Sequence, residues 1–339
     1  MYGLAKNNKK MSKILVTGAA GFIASHIIDN LVNEHEIVGL DDLSGGFESN
    51  IHPEINFVEG SITNSFLVEK LFGENKFDYV FHLAAYAAEG LSHFIRKFNY
   101  TNNLIGSINL INESVKHNVK GFVFFSSAAV YGDIKVPYKE SDNPEPYDPY
   151  GIAKYAVELD LKAARKMFGL NYIIFRAFNI YGEGQNLDDR YRNLIGVFIN
   201  QIMSEKPLSI FGDGEQTRSM TYIKDIAPIV ANSIKNEDAY GEIFNLGSYQ
   251  SYTVNEIAFL VKKYFESENE IINLPDRKEV KHVYCDTNKS RKYFGDYPNT
   301  FLGTGIRNMI QWAKERGINE PKYFENIEIY KNLPTSWIR

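Results

Sequence analysis

A single cysteine, Cys285, stands among 339 residues. It leaves no intrachain disulfide to form and no thiolate cluster for a metal, which points to a chain kept in a reducing cytoplasm. No apolar run approaches the 18 or so residues needed to cross a bilayer. Residues 1–10 (MYGLAKNNKK) are polar and lack the apolar stretch of a signal peptide. They are expected to form a disordered extension, with Met11 an alternative start. Basic residues number 37 against 42 acidic ones, a formal net charge of −5, and no Lys/Arg tract is long enough to follow a phosphate backbone. Nucleic acid is therefore not the expected partner. His26 has no second ligand at metal spacing, so no metal site is expected. The hydrophobic fraction is ordinary at 44% and supports a sizeable core. At roughly 150 residues per domain, the length suggests about two domains or one large α/β unit.

The chain begins its pattern at residues 13–17 (KILVT), a β-branched run that stops at Gly18 as a buried parallel strand does. Helical spacing follows over 22–33, and 36–40 (EIVGL) reads as the next strand. Further apolar strands are expected at 55–59, 79–83, 121–126 and 172–176, with helices at 103–117 and 151–168 between them. Such alternation predicts a doubly wound parallel sheet of the Rossmann type over residues 11–180. Beyond about Tyr181 the pattern loosens into Gly/Asp/Asn-rich loops with helices at 194–204, 226–234 and 254–265. A smaller substrate-binding lobe is placed at 181–218 and 247–339, with a segment near 219–246 returning to the sheet.

Gly18-Ala19-Ala20-Gly21 joins the first strand to its helix. Gly18 permits the tight turn, Gly21 lets the backbone approach a pyrophosphate at the helix N-terminus, and Ala24 allows close helix–strand packing. Asp41 ends the second strand, 41 − 18 = 23 residues after Gly18. A carboxylate there accepts hydrogen bonds from an adenosine ribose and repels a 2′-phosphate, so NAD is favoured over NADP. Downstream, Ser126 and Ser127 follow a strand, and Tyr150-Gly-Ile-Ala-Lys154 opens a helix. Positions i and i+4 share a helix face, so Lys154 stands beside Tyr150. An adjacent ammonium lowers a phenol's affinity for its proton and makes it usable as a base, while Ser127 can hold the same substrate oxygen.

These motifs resemble the extended short-chain dehydrogenase/reductase family, specifically its NAD-dependent sugar-nucleotide epimerases and dehydratases. The resemblance runs from Met11 through TGAAGFIA (17–24), DDLS (41–44), HLAA (82–85), SSAAVYG (126–132), Tyr150/Lys154 and FRAFNIYG (175–182). It continues through GDGEQTR (212–218), TYIKD (221–225) and FNLG (244–247). It implies NAD as cofactor, with Gly18, Gly21, Phe22, Ile23, Asp41, Asp42, Ser61, Ile62, Leu83, Ala84, Ala85, Tyr150 and Lys154 around it. It implies Ser127, Tyr150 and Lys154 as the catalytic set, and Ser127, Asn179, Asn193, Arg218 and Arg277 as substrate contacts, the arginines toward a nucleotide diphosphate. It also implies a homodimer built on helices 103–117 and 151–168. The chain departs from the family at Ser61, where an aspartate usually meets the adenine, and is one residue short between Arg277 and Asp286.

Related 4,6-dehydratases carry an Asp-Glu pair before Val-Tyr-Gly, decarboxylating relatives a glutamate, and 3,5-epimerases a cysteine. Here both positions are alanine, Ala128 and Ala129. The resemblance therefore implies a UDP-sugar 4-epimerase working through a transient 4-keto sugar. Alternatives are another nucleotide-sugar oxidoreductase (2-epimerase, 4-dehydrogenase or dehydratase) and a non-catalytic NAD-binding regulator. A residue that gates sugar size in related epimerases falls at Val283 or Tyr284, depending on where the missing residue is placed. His82 is expected to be structural, Asp225 a helix N-cap, Cys285 inert, and Glu89 to face either the sugar or solvent.

Overall fold

A computed structural model describes residues 11–192 and 194–338. The predicted extension, 1–10, and Asn193 lie outside these described residues. Seven parallel strands form the main sheet: β1 (Ser12–Thr17), β2 (His35–Asp41), β3 (Asn56–Glu59), β4 (Tyr79–His82), β5 (Gly121–Ser127), β6 (Tyr172–Ala177) and β11 (Glu242–Leu246). Their order is β11-β6-β5-β4-β1-β2-β3. The chain winds one way from β1 to β3 and the other way from β4 outward, so a crevice opens at the carboxyl ends of β1 and β4. The doubly wound sheet expected from the sequence is thus the observed one.

Alternation along each strand decides which helices cover which face. Ile14 and Val16 pack with α1 (Phe22–Leu31) and α8 (Ile223–Asn232) on one side. Leu15 packs on the other side, with α2 (Ser65–Glu74), α5 (Gly106–Lys116) and α6 (Pro149–Phe168). The helix expected at 103–117 begins earlier and runs from α4 (Arg96–Tyr100) through a π-helical turn at Thr101–Ile105 into α5. Its first half is rich in asparagine, a weak helix former. Tertiary hydrogen bonds compensate: Asn99 Nδ2 donates to Pro149 O at 2.8 Å, and Asn103 Oδ1 accepts from Tyr86 N at 2.8 Å.

A second core gathers α7 (Leu194–Met203), α9 (Val254–Phe265) and α11 (Leu302–Arg316). Short strands frame it: β7 (Ile180–Tyr181), β8 (Leu208–Phe211), β9 (Thr217–Ser219), β10 (Thr221–Tyr222), β12 (Ser251–Thr253), β13 (Ile271–Leu274) and β14 (His282–Val283). The short helix α10 (Asn288–Phe294) leaves this lobe, and its Tyr293 and Phe294 meet Phe244 of the main sheet edge to face. The carboxyl-terminal segment returns to the main domain, where Leu333 and Trp337 pack with Leu91, Ile95 and Tyr191.

One expectation is corrected. Asp225 does not cap a helix, because α8 starts at Ile223 and places Asp225 in its first turn. Its carboxylate instead accepts from the backbone N–H and hydroxyl of Thr300, both at 2.7 Å, tying α8 to the approach of α11.

Candidate active site

The crevice begins at the turn after β1. Gly18 has φ +75°, and a Cβ there would meet Ala84 N at 2.8 Å; a Cβ on Gly21 would meet Gly18 O at 2.9 Å. No side chain caps α1 at Gly21, so its first amides are left to face an anion. This glycine cradle and the bare helix end fit the pyrophosphate of a dinucleotide. Asp41 and Asp42, Ser61 and Ile62, and Leu83 to Ala85 line the same crevice with Phe22 and Ile23. Asp41 is buried and accepts from Ala20 N at 3.1 Å and Leu43 N at 2.7 Å. Burial raises its pKa above the ordinary carboxylate value, with the two amide bonds opposing. A carboxylate has about four acceptor positions, so ribose hydroxyls still have room. Ser61 Oγ lies 3.0 Å from Thr63 Oγ1.

At the far end, α6 delivers Tyr150 at its second residue. Asp148 caps this helix, accepting from Gly151 N at 2.9 Å, and Pro149 sets its first turn. Ser127 ends β5, accepts from Ala129 N at 3.1 Å, and lines the crevice beside Tyr150. Lys154 lies one turn on, its ammonium 5.9 Å from the Tyr150 ring centre and donating to Phe125 O at 2.8 Å. The three predicted catalytic residues therefore converge. Their electrostatics differ from the sequence argument. Burial, then Glu89 and Asp148, push the Tyr150 hydroxyl up, against Ser127 and Arg192. Burial also lowers Lys154 to about 7, against the pull of Glu158. In the protein alone, Lys154 does not turn Tyr150 into a phenolate.

A model described as the NAD dependent epimerase/dehydratase family matches residues 14–247. The chain belongs to that family. Among solved structures it is similar to a UDP-glucose 4-epimerase with UDP-glucose from Thermotoga maritima, at 33% identity and TM-score 0.84, covering 90% of this chain and 99% of that one. A UDP-N-acetylglucosamine 4-epimerase from Methanobrevibacter ruminantium is 30% identical at TM-score 0.85, over 91% and 100% of the two chains. A UDP-glucuronic acid 4-epimerase from Bacillus cereus, in complex with UDP-glucuronic acid and NAD, is 28% identical at TM-score 0.83, over 90% and 100%.

Within this epimerase/dehydratase fold three more of the predicted residues, Asn179, Arg218 and Arg277, line one cleft. Asn179 adopts φ +36° and donates to Ser219 O at 3.1 Å. Arg218 and Arg277 converge on one carboxylate, Glu279, at 3.3 and 2.8 Å. Sequence reasoning missed Glu279, although an acid two residues from an arginine was there to be noticed. Of the two candidate gate positions, Val283 lines the cleft, whereas Tyr284 turns its carbonyl to Tyr138 N at 3.0 Å.

A buried ion pair behind β5 was also missed. Glu158 accepts from Ser126 Oγ at 2.6 Å and from Arg176 Nε and Nη2 at 3.0 and 2.6 Å. A Lys154/Glu158 pair at i,i+4 was the available signal. His82 is structural as expected, bonded to Thr17 Oγ1 at 2.8 Å and Ser107 Oγ at 2.7 Å, with burial holding it neutral. Cys285 is buried, and that burial raises its thiol well above the usual value, which suits an inert group. Among the described residues no group of His, Cys, Asp or Glu could hold a metal ion, and no helix is long and apolar enough to cross a membrane.

Proposed function

We propose that this chain is a UDP-sugar 4-epimerase acting on UDP-glucose and UDP-N-acetylglucosamine. The observation that carries the reading is the convergence of Ser127, Tyr150 and Lys154 at the end of β5, followed by Ala128 and Ala129. That wall holds what oxidation at C4 needs and no further acid or base. Arg218 and Arg277 take the diphosphate, Asn179 contacts the substrate, and Ser127 and Tyr150 share the C4 hydroxyl. Tyr150 removes the hydroxyl proton and returns it after the 4-keto sugar has presented its other face. Gly18, Gly21, Phe22, Ile23, Asp41, Asp42, Ser61, Ile62, Leu83, Ala84 and Ala85, with Tyr150 and Lys154, would hold NAD. When bound, NAD supplies the hydride acceptor and a positive charge that favours a phenolate. Asp41 makes NAD the preferred cofactor over NADP. The test is to incubate the protein, loaded with NAD or with NADP, with UDP-, GDP-, CDP- and dTDP-sugars and read product stereochemistry by NMR. Absence of a C4-inverted UDP-sugar, or equal activity with NADP, would overturn it.

Val283 is the proposed size gate. Its side chain leaves room for an acetamido group, whereas a tyrosine would overfill that space at roughly 1–3 kcal/mol. Val283→Tyr is expected to lower kcat/KM for UDP-N-acetylglucosamine about tenfold or more while sparing UDP-glucose. Equal losses for the two sugars would remove Val283 from the role.

The chain is proposed to be a homodimer paired through α5 and α6. Ile105, in the turn that leads into α5, and Ile152 and Leu159 on α6 stay exposed, apolar surface suited to a four-helix bundle. Light scattering at micromolar concentration should give twice the chain mass of 38.7 kDa. A value at the chain mass itself would refute pairing. A cytoplasmic location completes the reading, supported by the single, buried cysteine.

A further inference from the structure

We propose that Glu89 is the residue by which this cleft separates neutral sugars from uronic acids: its carboxyl faces the sugar ring and opposes a second carboxylate. The inference rests on the nucleotide-sugar reading above. Glu89 opens the short helix α3 (Glu89–Ser92) and lines the cleft, exposed to its interior. Ser92 fixes that position. Its hydroxyl meets Glu89 O and Asp148 Oδ1, and accepts from Tyr150 N at 3.3 Å, bolting α3 to the helix start that carries the catalytic tyrosine. From the outside, Trp337 lies over Gly90, where an added Cβ would come within 3.1 Å of the indole. Glu89 is therefore held between α6 and the carboxyl-terminal segment. Among the described residues, no donor is bonded to its carboxyl.

Its surroundings define where a ligand meets it. Glu89 acts electrostatically on Tyr150 and on Tyr138, and is itself acted on by Arg218 and Arg277. A substrate with its diphosphate on the two arginines and its C4 hydroxyl at Tyr150 lays its sugar across Glu89. Although the carboxyl is open to the cleft, the walls around it displace water and, followed by Asp148, raise it to about 7; Glu279 adds to that, and the two arginines oppose it. Below that value the protonated carboxyl donates to and accepts from hydroxyls; above it, the carboxylate repels another anion. Arg192, paired with Asp189 at 2.7 Å, and Lys154 line the same space with positive charge. His93 acts on Asp148.

The test measures binding of UDP-glucose and UDP-glucuronate to the NAD-loaded protein by calorimetry at pH 6 and pH 8. In the unmutated protein, preference for the neutral sugar should grow roughly tenfold between those values, the scale of one like-charge contact in a half-buried cleft. Glu89→Gln should remove most of that growth and raise relative UDP-glucuronate affinity about tenfold at pH 8, while Glu89→Asp should keep the preference. Lys154 also loses charge across this window, but it does so in every variant, so the comparison between variants isolates Glu89. An unchanged preference in Glu89→Gln at pH 8, or no pH dependence in the unmutated protein, would overturn the inference. Epimerisation followed by NMR in the same samples is a separate readout. Preference without a C4-inverted product would sink the proposed reaction and leave the Glu89 assignment standing.

Discussion

Tyr150→Phe is expected to cut epimerisation on the order of 10²-fold or more, the usual contribution of a positioned general base. The phenyl ring keeps the packing of a side chain that is 6% exposed, so the fold should survive. NAD content, read by absorbance, should be retained, because the glycine cradle and Asp41 lie at the other end of the crevice. The expected signature is thus a collapse in kcat with folding and cofactor intact. Near-unmutated turnover would remove Tyr150 from the proton path.

Glu158→Gln should destabilise the protein by about 3–5 kcal/mol, as breaking a buried ion pair does when one charge is left behind. Arg176 is 1% exposed and Glu158 is fully buried, so no water compensates the guanidinium. Urea unfolding should show a lower midpoint at unchanged slope. A chemical consequence accompanies the loss. Glu158 is the anion that holds the Lys154 pKa up against burial. Without it the value falls below about 7, so the ammonium is lost at lower pH, and the alkaline side of any Lys154-dependent profile shifts toward acid. Stability within 1 kcal/mol of the unmutated protein would mean the pair is not the anchor it looks like.

The largest-effect residues were unevenly visible in the sequence. Tyr150, Lys154 and Ser127 announce themselves because a helix start and a strand end are local patterns. Glu158 and Arg176 do not, since their partnership crosses from a helix to a strand 18 residues later and only packing brings them together. Asp225 misled for a related reason. An acid before an apolar run reads as a cap, yet its partner, Thr300, lies 75 residues away.

What the sequence determined by itself is what repeats locally: apolar strands that stop at glycine, the dinucleotide turn with its acid at the end of β2, and the Tyr150/Lys154 helix. Those patterns are properties of one or two adjacent elements, so their spacing along the chain is enough to read them. Tertiary structure decided which of Val283 and Tyr284 faces the cleft, because side chains on a strand alternate with a period of two and a one-residue slip exchanges the faces. Pairing of β14 with β9, with Val283 opposite Arg218, sets that register. The same holds for the meeting of Arg218, Arg277 and Glu279, for Trp337 over Gly90, and for the placement of Glu89 in one cleft with Tyr150 and the two arginines. Each joins segments from distant parts of the chain, and only the packed core brings them within reach of one another.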